Sequence, residues 1–319
     1  MRAPASPAIL CRMSRGAVLI SILLAVGLAA CGEAGAPPVA LPRPDAVIQP
    51  ASSRVVVVVM ENEEAGAIIG SARAPFINRL ARSGGLALRS YAIRHPSLPN
   101  YLALTSGSTQ GITSDCTACH VPARSVADQL DAAHLSWRAY MEDLPRPCYQ
   151  GAGAGRYAKK HDPFMYYDAI ARHPARCRHV VGFRALASDL RRNTLPTYAF
   201  VSPNLCHDGH DCDLPVADRF LSRLVPPLRR ALGPRGYLVL TWDEGTTDAG
   251  CCGDAHGGRI VTIVAGPRVR AHARLTKPVD HYGVLATIED SLRLPRLGAA
   301  RDPANGTLRE LFTATPRIG

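Results

Sequence analysis

Residues 54–60 read RVVVVVM. Five consecutive β-branched residues followed by a methionine, in a segment this short, describe a strand buried on both faces, as found inside a parallel sheet covered by helices. Outward from it the chain alternates. A helical stretch at 74–83 precedes Gly84-Gly85 and a strand near 86–91. Further strands are predicted at 136–141, 197–201, 237–242 and 259–265, and helices near 125–133, 216–232 and 281–292. This order predicts a doubly wound α/β fold, a mostly parallel central sheet with helices on both faces. The stretch 148–178 lacks a clear period, carries four aromatic residues in YAKKHDPFMYYD, and reads as an irregular insertion over the sheet edge.

With 319 residues, 47% of them hydrophobic, the chain has enough apolar material for a sizeable core, which excludes disorder and a disulfide knot. The net charge of +11 includes Arg2, Arg12 and Arg15, which stand in the first 30 residues with no acid beside them. The remaining excess is spread over the chain as ordinary surface charge, so no nucleic-acid partner is expected. Arg12 and Arg15 lead into an unbroken apolar run, 17–30, of the length and flanks of an export signal. That run ends in Leu28-Ala29-Ala30-Cys31, which resembles the lipobox of bacterial lipoproteins, where the cysteine is lipidated after cleavage. The expected organisation is therefore a lipoprotein signal peptide at 1–30, a Gly/Ala/Pro-rich tether at 31–52, and one folded domain at 53–319. The expected place is outside the cytoplasm, anchored to a membrane through Cys31.

Cysteine usage agrees with export. Apart from Cys11 and Cys31, eight cysteines remain, an even number suited to disulfides in an oxidising compartment. Cys116/Cys119, Cys206/Cys212 and Cys148/Cys177 are natural pairs, though eight cysteines allow 105 connectivities. Cys116-x-x-Cys119 also has the spacing of a redox or zinc half-site, and Cys206, His207, His210 and Cys212 that of a compact zinc knot. For the adjacent Cys251-Cys252, at least one is expected to bond to a distant partner.

In open parallel sheets, ligands bind beyond the carboxyl ends of the strands. Four predicted strands run there into polar clusters: Glu61-Asn62, the segment from His95 to Asn100, Asn204 with the segment 207–211, and Asp243-Glu244. In His95-Pro-Ser-Leu-Pro-Asn100, Pro99 suits the first turn of a helix, which puts Ser97 or Leu98 at the cap, beside free backbone N–H groups and the positive end of the dipole. Such a hydroxyl is placed to act as a nucleophile on an anionic substrate. Glu61, Asn62, Asp243 and Glu244 offer oxygen ligands from two strand tips, a set for a divalent cation such as Mg²⁺, Ca²⁺, Mn²⁺ or Zn²⁺.

These segments, together with Trp242-Asp-Glu-Gly245, Asp280-His-Tyr and Thr287-Ile-Glu-Asp290, resemble the bacterial phosphoesterase family of the alkaline-phosphatase-like superfamily. That family includes secreted acid phosphatases, phosphatidylinositol-3-phosphate phosphatases and phospholipases C. The resemblance runs from about residue 54 to 294. It implies Ser97 as nucleophile, Glu61, Asn62, Asp243 and Glu244 as metal ligands, and Asp208, His210 and His95 as phosphate-binding or proton-moving groups. It further implies Asn100, Lys160 and His161 as contacts to substrate phosphate. His256 reads as a second-site ligand or a turn residue. The expected activity is metal-dependent hydrolysis of phosphate monoesters through a phosphoserine, phosphoinositides among the candidate substrates. The alternatives are a phospholipase C-type diesterase with the same site and a non-catalytic lipoprotein that captures metal or phosphate.

Overall fold

The computed structural model describes residues 53–314 and 317–318. The signal, Cys31 and tether expectations lie outside the described residues. From the first strand onward the order is β1 (Val55–Met60), α1 (Ala65–Ile68), α2 (Pro75–Ser83), β2 (Gly85–Tyr91), α3 (Ser97–Ser106), α4 (Val126–Ala132) and β3 (Trp137–Met141). The insertion supplies β4 (Gly153–Ala154), β5 (Tyr157–Ala158), α5 (Asp168–Ala171) and α6 (Pro174–Cys177). Then come β6 (Val180–Gly182), α7 (Phe183–Arg192), β7 (Tyr198–Ser202), α8 (Leu214–Arg230), β8 (Tyr237–Trp242), β9 (Arg259–Ala265), β10 (Arg274–Leu275), β11 (Val279–Asp280) and α9 (His281–Leu292).

One nine-stranded sheet runs in the order β10-β2-β9-β8-β1-β7-β3-β6, with β11 also on β2. Only β9 opposes the others, being antiparallel to both β8 and β2. The predicted mostly parallel sheet is therefore present, and β1 lies at its centre between β7 and β8. Its alternate residues feed two cores: Val55, Val57 and Val59 pack on the face with α3, α4 and α9, whereas Val56, Val58 and Met60 pack on the face with α1, α2 and α8. Position β6 and helix α7 escape sequence reading, the first because it is three residues long, the second because only a thin apolar stripe of FRALASDLRR reaches the core.

Helix α3 is buried along its whole length and packs beside α9. On α9, Glu289 is fully buried; its Oε1 accepts from Leu297 N at 2.8 Å, and its Oε2 has no partner. Burial pushes its pKa up from 4.5 to about 8. A carboxyl raised in this way contributes stability that is fully present below its unfolded pKa and is lost as pH rises through the folded value. Glu289→Gln is expected to flatten the fall in urea-unfolding free energy between about pH 5 and pH 8 by about 1–3 kcal/mol. The same slope in wild type and variant would contradict this.

Candidate active site

The centre of the sheet dictates the site. Because β1 lies between β7 and β8, the residues that leave these three strands emerge side by side. Met60 pairs with Trp242 across β1 and β8, so Glu61 and Asp243 stand at one level. Three bonds fix the exits: Asp243 N donates to Met60 O at 2.9 Å, Glu61 N to Asp208 O at 3.1 Å, and Asn62 N to Asp243 Oδ1 at 3.2 Å. The loop after β7 that carries Asp208 and His210 is closed by a Cys206–Cys212 disulfide. Asn62 sits at φ 43°, which turns the chain sharply after Glu61.

Ser97 is the first residue of α3, with Pro96 at the cap, one position earlier than Pro99 alone suggested. Its hydroxyl is buried and donates to Glu61 Oε2 at 3.1 Å. One helical turn on, Tyr101 presents its hydroxyl from the same face to Glu61 Oε1. Its ring stacks on His161, with centroids 5.4 Å apart. The imidazole of His161 in turn stands between two carboxylates, with Nε2 at 3.2 Å from Glu61 Oε2 and Nδ1 at 3.2 Å from Asp208 Oδ2.

Four carboxyl groups therefore share a dry space. Burial raises the pKa of Glu61 well above the usual carboxylate range, and Asp243 and Asp208 add to the shift. Burial likewise raises Asp243, with Glu244 adding to it, and lifts Asp208 to about 7. Burial drives His161 well below the usual imidazole range, with Lys160 and His210 adding to the effect. The carboxyl shifts have the sign expected of acids crowded together away from water, and the imidazole shift that of a buried base beside cations.

The donor atoms fit a cation. Asp208 Oδ2, Asp243 Oδ2 and His161 Nε2 are buried without hydrogen-bond partners, and one ligand atom from each of Glu61, His161 and Asp208 falls within 4.8 Å of the others. One terminal atom of the Asn62 amide stands 2.9 Å from Glu61 Oε2 and 3.2 Å from Asp243 Oδ1. As nitrogen it donates to both carboxylates; as oxygen it faces them with no proton between, the arrangement of ligands around a metal.

The profile of the Phosphoesterase family matches residues 70–295. The chain belongs to the phosphoesterase family. It is 34% identical over 293 residues to a phosphatidylinositol-3-phosphatase of Mycobacterium tuberculosis, covering 91% of this chain and 92% of that one. It is 30% identical over 234 residues to a phosphate-repressible acid phosphatase of Penicillium chrysogenum, covering 70% of this chain but only 55% of that longer protein. Among solved structures, a sulfatase from Pseudoalteromonas sp. superposes with a TM-score of 0.55 at 14% identity, covering 85% of this chain and 74% of the sulfatase. A protein of the alkaline phosphatase superfamily from Vibrio parahaemolyticus gives 0.51 at 12% identity, covering 75% and 65%. The fold is thus the alkaline-phosphatase-like one.

In this phosphoesterase the residues proposed from sequence separate into groups. Glu61, Asn62, Ser97 and Asp243 come together as expected. Asp208 and His161, expected to handle protons and substrate phosphate, instead join Glu61 in the candidate ligand cluster. Glu244 and His95 pair with each other at 2.7 Å, and His95 Nε2 lies 3.1 Å from Thr247 O. Both His95 nitrogens are engaged in this arrangement, which holds the imidazole against Glu244. Asn100 is spent: its Oδ1 accepts from Ile93 N and Arg94 N, and its Nδ2 donates to Arg94 O and Pro96 O. It fastens the turn before Ser97 and has no donor left for a phosphate.

Lys160 and His210 remain available at the rim. Lys160 Nζ lies 3.1 Å from both Asp115 Oδ2 and His210 Nε2. Burial alone would lower the lysine, but Asp115 outweighs it and holds the ammonium charged above its ordinary range. The other oxygen of Asp115 accepts from Leu98 N at 2.9 Å, so one N–H at the start of α3, expected to be free, is already occupied. Sequence reading missed Asp115, for which no local signal exists, and Tyr101, whose four-residue spacing from Ser97 was the available clue. His207 is held by Glu142 at 2.9 Å and stacks on Phe220. His256 is an exposed residue whose backbone N donates to Ile93 O. The structure pairs Cys116–Cys119, Cys148–Cys177 and Cys206–Cys212 as the spacings suggested. Cys251 and Cys252 pair with each other instead of with a distant cysteine.

Proposed function

We propose that this phosphoesterase is a metal-dependent phosphatase that hydrolyses phosphate monoesters through a phosphoserine at Ser97. The observation that carries the reading is the buried Ser97 hydroxyl, 3.1 Å from Glu61 Oε2 at the start of a buried helix, amid ligand atoms that lack partners. Glu61, Asn62, His161, Asp208 and Asp243 would hold the cation, with Glu244 beside them. A divalent ion there supplies Lewis-acid stabilisation of a phosphoryl oxygen and lowers the cost of ionising the serine. The imidazole shifts a donor set that read as all oxygen toward Mn²⁺ or Zn²⁺.

The chain's own groups divide the remaining work. Ser97 Oγ attacks phosphorus as the bond to the alcohol oxygen breaks, and its proton passes toward Glu61. Lys160, kept charged by Asp115, binds a phosphate oxygen that a diester would carry as an ester. His210 is tied through Nδ1 to Asp211 Oδ1 at 2.7 Å, which orients Nε2 toward the Lys160 ammonium. We assign it the proton given to the leaving oxygen, and later the proton taken from the water that hydrolyses the phosphoserine. Purified protein with added Mn²⁺ or Zn²⁺ should release p-nitrophenol faster from p-nitrophenyl phosphate than from bis(p-nitrophenyl) phosphate, and Lys160→Met should narrow the difference. Preference for the diester would overturn the monoesterase reading in favour of a phospholipase C-like one.

Export and anchoring through Cys31 belong to the same proposal, supported by the four disulfides of the described residues. A membrane-fraction protein whose mature N-terminal peptide carries no lipid on Cys31 by mass spectrometry would overturn the anchor.

A further inference from the structure

The end of the sheet opposite the active site carries positive charge. A helix that connects parallel strands ends where the next strand begins, so the last turns of α2 and α8 lie at the starts of β2 and β8. They carry Arg82 and the pair Arg229-Arg230, since basic side chains suit the negative end of a helix dipole. The turn into β8 adds Arg235. Strand β9 runs the other way, so the chain leaving it adds Arg270 and Arg274 at the same end, where His272 Nδ1 lies 2.8 Å from Arg82 O. All six arginines are exposed, and among the described residues none forms a salt bridge. The acids of this end are engaged with other cations: Asp131 with Arg176, Asp189 with Arg138, Asp290 with Arg296 and Glu310 with Lys277. From β8 to β10 is three strand spacings, about 14 Å, so the six form one band. Strand β1 is six residues long, which puts roughly 20 Å between this band and Glu61 and Asp243.

The chain that leads back to Cys31 joins the sheet at this same end. Ser53 Oγ accepts from Arg235 N at 3.0 Å, and Arg54 N donates to Leu232 O at 2.8 Å, just past the end of α8. We propose that the arginine band docks on the anionic phospholipid surface of the membrane that carries the anchor, which turns the active site away from that bilayer toward soluble phosphate esters. The inference rests on the anchor and phosphatase readings above for its choice of membrane and substrate. Charge supplies the attraction: each arginine near an anionic lipid surface contributes about fivefold in binding, and the effect fades beyond a Debye length of about 8–10 Å. Attachment through Cys31 keeps the band close to the lipid, so contacts that are weak singly act together.

The test uses the processed protein, purified from membranes and reconstituted into vesicles of phosphatidylcholine alone or of phosphatidylcholine with phosphatidylglycerol. Arginine modification by phenylglyoxal is mapped by peptide mass spectrometry. On the anionic vesicles it is expected to slow by about tenfold at Arg229, Arg230, Arg270 and Arg274, and to recover at high salt. Arg73, exposed on the active-site side, should react equally on both. Arg229→Gln, Arg230→Gln and Arg235→Gln together should return Arg270 and Arg274 toward their rate on phosphatidylcholine, while p-nitrophenyl phosphate hydrolysis stays within about twofold. Glycerol 3-phosphate in solution should be hydrolysed at least about tenfold faster than phosphatidic acid in the same bilayer. Equal modification on both vesicles, or protection of Arg73 in place of the band, would overturn the docking face. Phosphatidic acid cleaved as fast as the soluble ester would overturn the orientation. Tighter binding to a DNA duplex than to the anionic vesicles would give the band to nucleic acid and overturn the lipid. A Cys31 without lipid, with the arginines still protected on anionic vesicles, would remove the anchor and support the band; protection without any phosphatase activity would remove the phosphatase reading alone.

Discussion

Ser97→Ala is expected to lower kcat on p-nitrophenyl phosphate by about 10⁴-fold or more, with thermal stability and metal binding largely retained. The size follows from losing the atom that forms the covalent bond, which in enzymes that use one costs far more than losing a positioning contact. Retention of the fold follows from the side chain's small share in it: the hydroxyl makes one hydrogen bond, to Glu61 Oε2. Tyr101 still serves the other Glu61 oxygen, and the helix start is still fastened by Asn100 and Asp115. Monoester hydrolysis within about tenfold of wild type would remove Ser97 from the chemistry.

Asp243→Asn is expected to move two quantities in opposite directions. In the metal-free protein, the carboxylate is buried beside Glu244 and Glu61 and its pKa is raised well above 3.8, so its ionised form costs stability at neutral pH. Neutralising it should raise the unfolding free energy of the metal-free protein by about 1–3 kcal/mol at pH 7.5, an advantage that shrinks toward pH 4, where the wild-type group is protonated. The metal-loaded comparison reverses. A divalent ion at 100 times its dissociation constant stabilises a binding-competent protein by about 2.7 kcal/mol, and the variant should lose most of that gain together with roughly 10²-fold or more of its activity. A variant less stable than wild type without metal, or one that keeps the full metal-induced shift in melting temperature, would contradict the ligand assignment.

The sheet was legible because its central strands have one interpretation. A run of five valines and a methionine between Arg54 and Glu61 cannot hide in another element, and β8, β9 and α9 begin and end where periodicity placed them. The reversal of β9 was not legible, since strand direction depends on connections rather than side chains. The strand-tip residues Glu61, Asn62 and Asp243 were found because strand order alone brings them together. His161 and Asp208 were singled out for substrate phosphate and proton transfer, and the structure sets both beside Glu61. Their place beside Glu61 comes from the insertion, 148–178, folding His161 over the strand ends, and from a disulfide-closed loop that turns Asp208 inward. Asn100 read as a phosphate contact because amides often make one; the structure turns its amide to the backbone before Ser97. Asp115 lies in an irregular segment, and only the tertiary fold sets it between Leu98 N and Lys160.

The central claim, covalent catalysis by Ser97, is tested most directly by acid-quenching the metal-loaded enzyme during turnover of a fast phosphate monoester and mapping phosphorylation by peptide mass spectrometry. A phosphoryl group on the peptide that contains Ser97, formed within one turnover, lost on further incubation and absent from Ser97→Ala, is the predicted result. Full turnover with no phosphorylated peptide at any quench time, and no initial burst of alcohol, would contradict it.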